Sequence, residues 1–522
     1  VALKVLECFS AVSGLQLNLS KTEGLGIGSL KGMNNQSITK IKWTQTPIRY
    51  LGIHIGHETL LCEKLNWTSK IEELQKLLDS WRTRNLSLQG KILIIKTLAL
   101  PKLVYSASML EIPDNIVKKI NKIIYTFLWG KVDKIERNVL INDYENGGLR
   151  MIDIESHFMS LKAAWIPRIY NNSNDTWTHI PLTYIQNITN GYLFDMKIPS
   201  VKKMPRMNMI PPFYQEVILA FCKANNNVIN NKSTFFQQII WGNNNFLVNG
   251  TCLYSQSFID SGFIFICDIL NQDGHFKDDI FTKLKCKHHY LRVIEIIKLA
   301  LKPYKSFRFN DDAIIQYDKQ TCDLTDKKSK YFYSRIVKNK QRQSKAIRKW
   351  SEYFDIHVDW TNVYAHKIYT QLEMKIADFN YKMLHNIIPT GKNLLKWKKI
   401  DNASCIYCKI HIHDLKHMLW DCSCLNDIWK VISDALNCVI NFKMIILGGK
   451  RLIHENRSIS LVCYLIFKKY LLDKERENNN FTPLFIYIKY ELTFRLKIYE
   501  SLKYPVNQTA LIQKVIQSCS SV

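Results

Sequence analysis

The stretch from Phe379 to Cys422 decides how this chain is read, and its chemical centre is Cys405-Ile406-Tyr407-Cys408, followed by His417 and Cys422. Two thiolates separated by two residues can grip one ion from a tight turn. A His and a Cys with four residues between them can complete a tetrahedron from the helical stretch that follows. Three Cys and one His form the ligand set of a closed structural zinc site, with no position left open for a substrate. The spacing falls near the familiar zinc-finger spacings without coinciding with them. Cys405, Cys408, His417 and Cys422 are the expected ligands, with His411, His413 and Cys424 also available for the fourth place. The competing reading is a set of buried thiols beside a surface His, since free Cys is commonly buried.

Working outward, Phe379, Tyr381, Met383, Leu384 and Ile387 recur at helical spacing and read as a core-facing stripe. Trp397 precedes the ligands, and Ile428, Trp429, Val431 and Ile432 follow them on a further helix. Trp350, Phe354 and Trp360 open the module, which is expected to span 350–440. Zinc there would stabilise the fold and take no part in chemistry. Any nucleic-acid contact by the module would come from neighbouring cations such as Lys396, Lys398 and Lys399.

The whole chain has 522 residues, 47% of them hydrophobic, enough for several cores. Its 72 Lys and Arg against 45 Asp and Glu give a formal charge of +27, which attracts phosphate backbones. The fourteen Cys are scattered rather than packed into a small framework, which suits a reducing, intracellular compartment, cytoplasmic or nuclear. No apolar run is long enough to span a bilayer: Leu461–Phe467 is cut off by Lys468 and Lys469. No signal peptide opens the chain, so RNA and DNA, and no membrane, are the expected partners.

The most basic stretch is 327–349, where Lys327, Lys328, Arg335, Lys338 and Arg342 are interleaved with Tyr331 and Tyr333. Cations neutralise phosphates and exposed aromatics stack on unpaired bases. A solvated helix face is the plainer reading of such a run. Elsewhere the periodicity predicts a mostly α fold with a small α+β part at the N-terminus. Val1, Val5, Cys8, Phe9 and Val12 lie on one helical face, Gly14 stops that helix, and alternation then predicts a strand. Ile48–Gly56 reads as another strand closing on a turn. Residues 60–170 are mostly helical, with Ser87 placed to cap a helix running towards Pro101, and Gly147-Gly148-Leu149 making a turn. Residues 171–330 offer polar Asn loops and apolar anchors and no site.

One order of motifs along the chain is specific: Phe9-Ser10, Ser13-Gly14-Leu15, Asn18, Lys21-Thr22, Tyr50-Leu51-Gly52, Trp81, Leu86-Ser87-Leu88, Gly90-Lys91, Phe127-Leu128-Trp129 and Gly147-Gly148-Leu149. With the Cys/His stretch after it, this order resembles the downstream half of LINE-type, non-LTR retrotransposon reverse transcriptases. The resemblance implies the end of a polymerase palm at 1–56, a helical thumb at 57–130, a helical connector at 131–349, a zinc-binding domain at 350–440 and a C-terminal helical region at 441–522. It also implies a motif D lysine at Lys21, near the leaving pyrophosphate, and a primer-grip turn at Tyr50, Leu51 and Gly52.

In that family the Asp pair that holds two Mg²⁺ ions for nucleotide addition lies ahead of motif D. The chain begins Val1-Ala2-Leu3, so the expectation is a fragment whose upstream palm and fingers are missing, inactive alone, with Mg²⁺ relevant only to an intact polymerase. Phe309-Asn310-Asp311-Asp312 has the look of a substitute pair but follows the thumb-like segment, and an Asp pair there is commonly a solvated cap. A non-enzymatic, zinc-stabilised scaffold is the alternative.

Overall fold

The structure is a computed structural model that describes residues 2–32, 41–225, 235–271, 273–304, 327–448, 453–475, 483–504 and 506–518. Asp311 and Asp312 lie outside the described residues. Among the described residues the fold is mostly helical, with three two-stranded sheets of two or three residues per strand. It divides into two compact units. One comprises Val1–Thr83, Ile95–Ile124 and Ile154–Ile336; the other comprises Arg84–Ile94, Tyr125–Asp153 and Val337–Val522.

In the first unit, the helix Ala2–Ser13 ends at Gly14, whose φ of +71° is the left-handed stop that glycine provides. The strand expected after Gly14 does not form. Leu15, Leu17 and Leu19 are exposed, and the chain closes a turn in which the Lys21 N–H donates to the Asn18 carbonyl at 3.1 Å. Alternation alone does not make a strand where no neighbouring strand takes up the backbone groups. Pairing begins only at Glu23–Gly24, parallel to Lys42–Trp43. A Cβ on Gly24 would lie 2.8 Å from the Trp43 indole, so only glycine allows that approach.

Ile48–Gly56 is not one strand but a hairpin, Ile48–Tyr50 antiparallel to Ile53–Ile55. Leu51 and Gly52 turn it with φ of +48° and +81°, the paired positive values of a two-residue hairpin turn. Asn66, on the helix Thr59–Arg82, holds the hairpin by accepting from the His54 N–H at 2.7 Å and donating to its carbonyl at 2.9 Å. That helix buries Trp67, Ile71, Leu74 and Leu78, the stripe its 3.6-residue period predicts.

The main core of this unit lies where the sequence offered only loops and anchors. Helices Ile154–Ala163 and Pro212–Ala224 pack together, and Phe221, Phe236, Trp241, Phe246, Phe258 and Phe332 belong to one buried cluster. Lys162 is buried within the unit, and its ammonium is satisfied by the Leu110 carbonyl and by Glu216 at 3.0 Å.

The second unit is organised around the helix Met374–Leu384, which buries Ile376, Ala377, Phe379, Tyr381, Met383 and Leu384. It packs on the wide turn Ala365–Tyr369 and on the long helix Ile453–Lys474, which continues the bundle into Leu484–Ser501 and Val506–Ser518. Ser87 does cap its helix, accepting from the Gly90 N–H at 3.1 Å. The loop 137–153 closes on the central helix at Gly147, whose carbonyl accepts from the Tyr381 hydroxyl and from His385 Nε2, each at 3.1 Å. Among the described residues, no single helix is long and apolar enough to cross a membrane.

Candidate metal centre

The knuckle that carries Cys405 and Cys408 is a short hairpin. The Cys405 N–H donates to the His411 carbonyl at 2.9 Å, and the His413 N–H to the Ala403 carbonyl at 2.8 Å. The Lys409 N–H then folds back on the Cys405 carbonyl at 2.9 Å, with Lys409 in the left-handed region at φ +57°. His417 begins a single wide helical turn, His417–Asp421, whose start is capped by Asp414 Oδ1 accepting from the His417 N–H at 3.0 Å. The Cys422 N–H closes that turn on the His417 carbonyl at 3.2 Å, five residues back, and the Trp429 indole N–H pins it at the Leu419 carbonyl at 2.9 Å. Such wide turns recur at functional sites because the extra residue re-aims a side chain.

These two elements bring Cys405, Cys408, His417 and Cys422 together, with every donor atom within 4.8 Å of the others. Cys405, Cys422 and His417 are buried, and Cys408 is half-buried. Cys405 Sγ and Cys422 Sγ are 4.0 Å apart, and Cys408 Sγ is 3.3 Å from His417 Nε2. A tetrahedral zinc ion with bonds of about 2.3 Å to sulfur and about 2.0 Å to nitrogen requires S···S near 3.8 Å and S···N near 3.5 Å. The donor set therefore fits a structural zinc ion, with all four positions taken by the protein. The cysteines are free thiols. The hydrogen bond between the Cys405 and Cys422 thiols lowers the Cys405 pKa, helped by the backbone N–H groups of Cys408 and Tyr407, and raises that of Cys422. One sulfur is thus poised as a thiolate, the form that ligates metal.

The other sequence candidates for the fourth place lie around the cluster. His413 is buried with its Nδ1 accepting from the Gly391 N–H at 3.1 Å and its ring stacked 3.9 Å from Tyr470. His411 is exposed with its ring 5.4 Å from that of His417, and Cys424 is exposed two residues beyond Cys422.

Sequence reasoning missed the shell behind the cluster. Tyr407, inside the knuckle, donates its hydroxyl to buried Asp473 at 2.8 Å, and Asp473 also pairs with buried Lys469. No spacing rule links residues 407 and 473, so only the assembled bundle reveals the contact. Tyr407→Phe is expected to lower stability by about 1–3 kcal/mol, the cost of leaving a buried charged acceptor short of a partner. Thermal melts should show the loss at an unchanged zinc content. An unshifted melting temperature would contradict this role.

The remaining candidates are placed as follows. Lys21 is exposed on its turn, and Tyr50 and Leu51 are exposed at the hairpin tip beside Gly52. Lys328, Lys338 and Arg342 are exposed and Lys327 is half-buried. Tyr331 and Tyr333 are half-buried: the Tyr331 ring lies 5.3 Å from the Lys327 ammonium and 5.7 Å from the Arg335 guanidinium, and Tyr333 meets the His157 ring at 6.3 Å. Arg335 Nε donates to the Ala224 carbonyl at 2.7 Å.

Residues 328–429 match the family described as zinc-binding in reverse transcriptase, a span that holds all four donors. An uncharacterized 149 kDa protein of transposon TX1 from Xenopus laevis is 24% identical over 218 residues, covering 41% of this chain and 17% of that protein. A putative ribonuclease H protein of Arabidopsis thaliana is 25% identical over 116 residues, covering 21% of this chain and 18% of that protein. The chain thus spans less than a fifth of the length of each of these curated relatives. With the order of motifs along it, this chain carries the zinc-binding region of reverse transcriptases and resembles the C-terminal region of the LINE-type, non-LTR retrotransposon enzymes.

Proposed function

We propose that this chain binds RNA or DNA as the C-terminal part of a non-LTR retrotransposon reverse transcriptase, with zinc as a purely structural ion. The observation that carries the reading is the closed set of four buried or half-buried protein donors, which leaves no position for substrate. Around it Lys396, Lys398, Lys399 and Lys409 are exposed, on a chain of formal charge +27. Cysteine and histidine fix the fold, and lysines meet the phosphates.

RNA-templated DNA synthesis belongs to this proposal as an activity of a polypeptide that also contains the family's aromatic-x-Asp-Asp turn. The Mg²⁺ ions would sit on those carboxylates. Residues 1–20 hold no such turn, and polymerisation is assigned here to that longer polypeptide.

The test is binding of single-stranded RNA and DNA as a function of salt. Affinity should fall steeply, with a log–log slope of about −0.7 for each phosphate neutralised on a single strand. Lys396→Ala, Lys398→Ala and Lys399→Ala combined should shallow that slope by about two. Absent or salt-independent binding would instead leave a zinc-stabilised scaffold. Mg²⁺-dependent primer extension that is lost in Asp311→Asn would overturn the assignment of polymerisation to the longer polypeptide.

A further inference from the structure

The helix Leu484–Ser501 is apolar on its buried face and along a second, exposed row that winds around it. Leu484, Ile488, Leu492, Arg495 and Tyr499 are buried, and that side is locked by Glu373, which pairs with Arg495 Nε at 2.9 Å and accepts from the Tyr499 hydroxyl at 2.6 Å. The other side carries Ile486, Tyr490, Phe494 and Ile498, which are 56%, 69%, 53% and 36% exposed, with Leu502 beyond the helix end 63% exposed. Each is four residues from the next, so they form a single ridge about 24 Å long at 1.5 Å per residue. The locked inner face fixes the helix in this orientation, so the ridge is a surface of the folded unit.

We infer that this ridge is a self-association surface, on which a second copy of the chain docks its own ridge in antiparallel sense. The argument is the symmetry of the pattern. Ridges of i, i+4 type interdigitate with ridges of the same type in the commonest helix packing, at about −50°. An antiparallel pair centred on Phe494 sets Phe494 against its own copy and Tyr490 against Ile498. That is what an isologous two-fold requires.

The charges beside the ridge follow the same symmetry. Lys489 and Glu500 stand five residues before and six residues after Phe494, Glu500 also accepting from Gln513 Nε2 at 3.1 Å, and antiparallel pairing brings each to the level of the other's copy. The five side chains expose roughly 500 Å², the size of the largest apolar patches on monomers. Only Tyr490, Phe494 and Ile498 can face one partner helix together, so the area buried from both copies falls below the roughly 1,000 Å² of a stable specific interface. The dimer is therefore weak and concentration-dependent. The inference does not depend on nucleic-acid binding.

Sedimentation equilibrium of nuclease-treated, zinc-loaded full chain at raised salt tests it. A monomer–dimer equilibrium is expected, weakened roughly thirtyfold or more by Phe494→Glu, which removes the central aromatic anchor. Lys489→Glu should weaken it further than a surface change of equal charge elsewhere, and Lys489→Glu with Glu500→Lys should restore it, a rescue that only self-pairing explains. Circular dichroism melts matching wild type keep misfolding out of the comparison. A wild-type chain that stays monomeric at high concentration overturns the inference. So does dimerisation untouched by Phe494→Glu, or a ridge whose variants lose only oligonucleotide or anionic-vesicle binding.

Discussion

Stripping the metal from this protein, by chelation or by Cys405→Ser or Cys422→Ser, is expected to unfold the segment that carries the ligands and to loosen the bundle it packs on. Structural zinc contributes about 10–16 kcal/mol in small zinc-finger peptides, whereas whole domains are stable by only about 5–15 kcal/mol. Beyond the ion, the local fold rests on the Tyr407–Asp473 bond, the His413–Tyr470 stack and a few further contacts. The knuckle is held by a few backbone hydrogen bonds between Ala403 and His413, and the wide turn at His417 buries only Met418 and Leu419 besides the ligand itself. Cys405 Sγ and Cys422 Sγ are 4.0 Å apart, and two buried thiolate charges at that distance repel each other unless an ion lies between them. Wild type should hold one equivalent of zinc by elemental analysis, Cys405→Ser and Cys422→Ser far less. Hydrogen exchange in 403–425 should rise to the unprotected rate in the stripped protein. The same metal content in wild type and both variants would sink the assignment of these ligands.

The contrast between what was legible and what was not follows the range of the interaction. Helices with a strong 3.6-residue stripe could be read directly, because burying one face is a local property: Phe379, Tyr381, Met383 and Leu384 are buried as the spacing requires. The clustering of Cys405, Cys408, His417 and Cys422 could be read for a related reason, since all four lie within eighteen residues. The hairpin at Leu51-Gly52 was misread as one strand because a two-residue turn leaves the alternation unbroken on both sides. The alternation after Gly14 was misread because a strand exists only when a second strand accepts it. What stayed illegible were contacts across hundreds of residues. Tyr381 and His385 reach back to Gly147, and Leu88 N–H donates to Asp378 at 2.8 Å across 290 positions.

Those long contacts give Gly147-Gly148 a packing role that can be tested apart from the metal. Gly147 turns the chain at φ +74°, and its carbonyl is the acceptor for both Tyr381 and His385. A carbonyl only accepts, so His385 carries its proton on Nε2, and its Nδ1 is left to face the Ser344 hydroxyl at 3.2 Å. Burial pushes the His385 pKa down to about 4, so the ring is neutral at physiological pH. Gly148 is tighter still. A Cβ there would fall 2.0 Å from the Asn142 carbonyl oxygen and 2.4 Å from its carbon, backbone atoms that cannot rotate away. Asn142 is itself held, its carbonyl accepting from the Arg150 N–H at 2.9 Å and its side chain donating to the Arg342 carbonyl at 2.7 Å. Gly148→Ala is therefore expected to cost about 3–5 kcal/mol, the range reserved for clashes that force backbone to move. Gly130→Ala is the matched control: its φ is +87° but a Cβ there meets nothing within 4 Å, so only the left-handed backbone penalty of about 1–2 kcal/mol applies. Thermal melts of the zinc-loaded proteins should separate the two variants clearly, with zinc content unchanged in both. If Gly148→Ala proves as mild as Gly130→Ala, loop 137–153 yields where the packing says it cannot. If it melts far lower while keeping its zinc, the glycine pair is required by the closure of this unit, whether or not nucleic acid ever touches it.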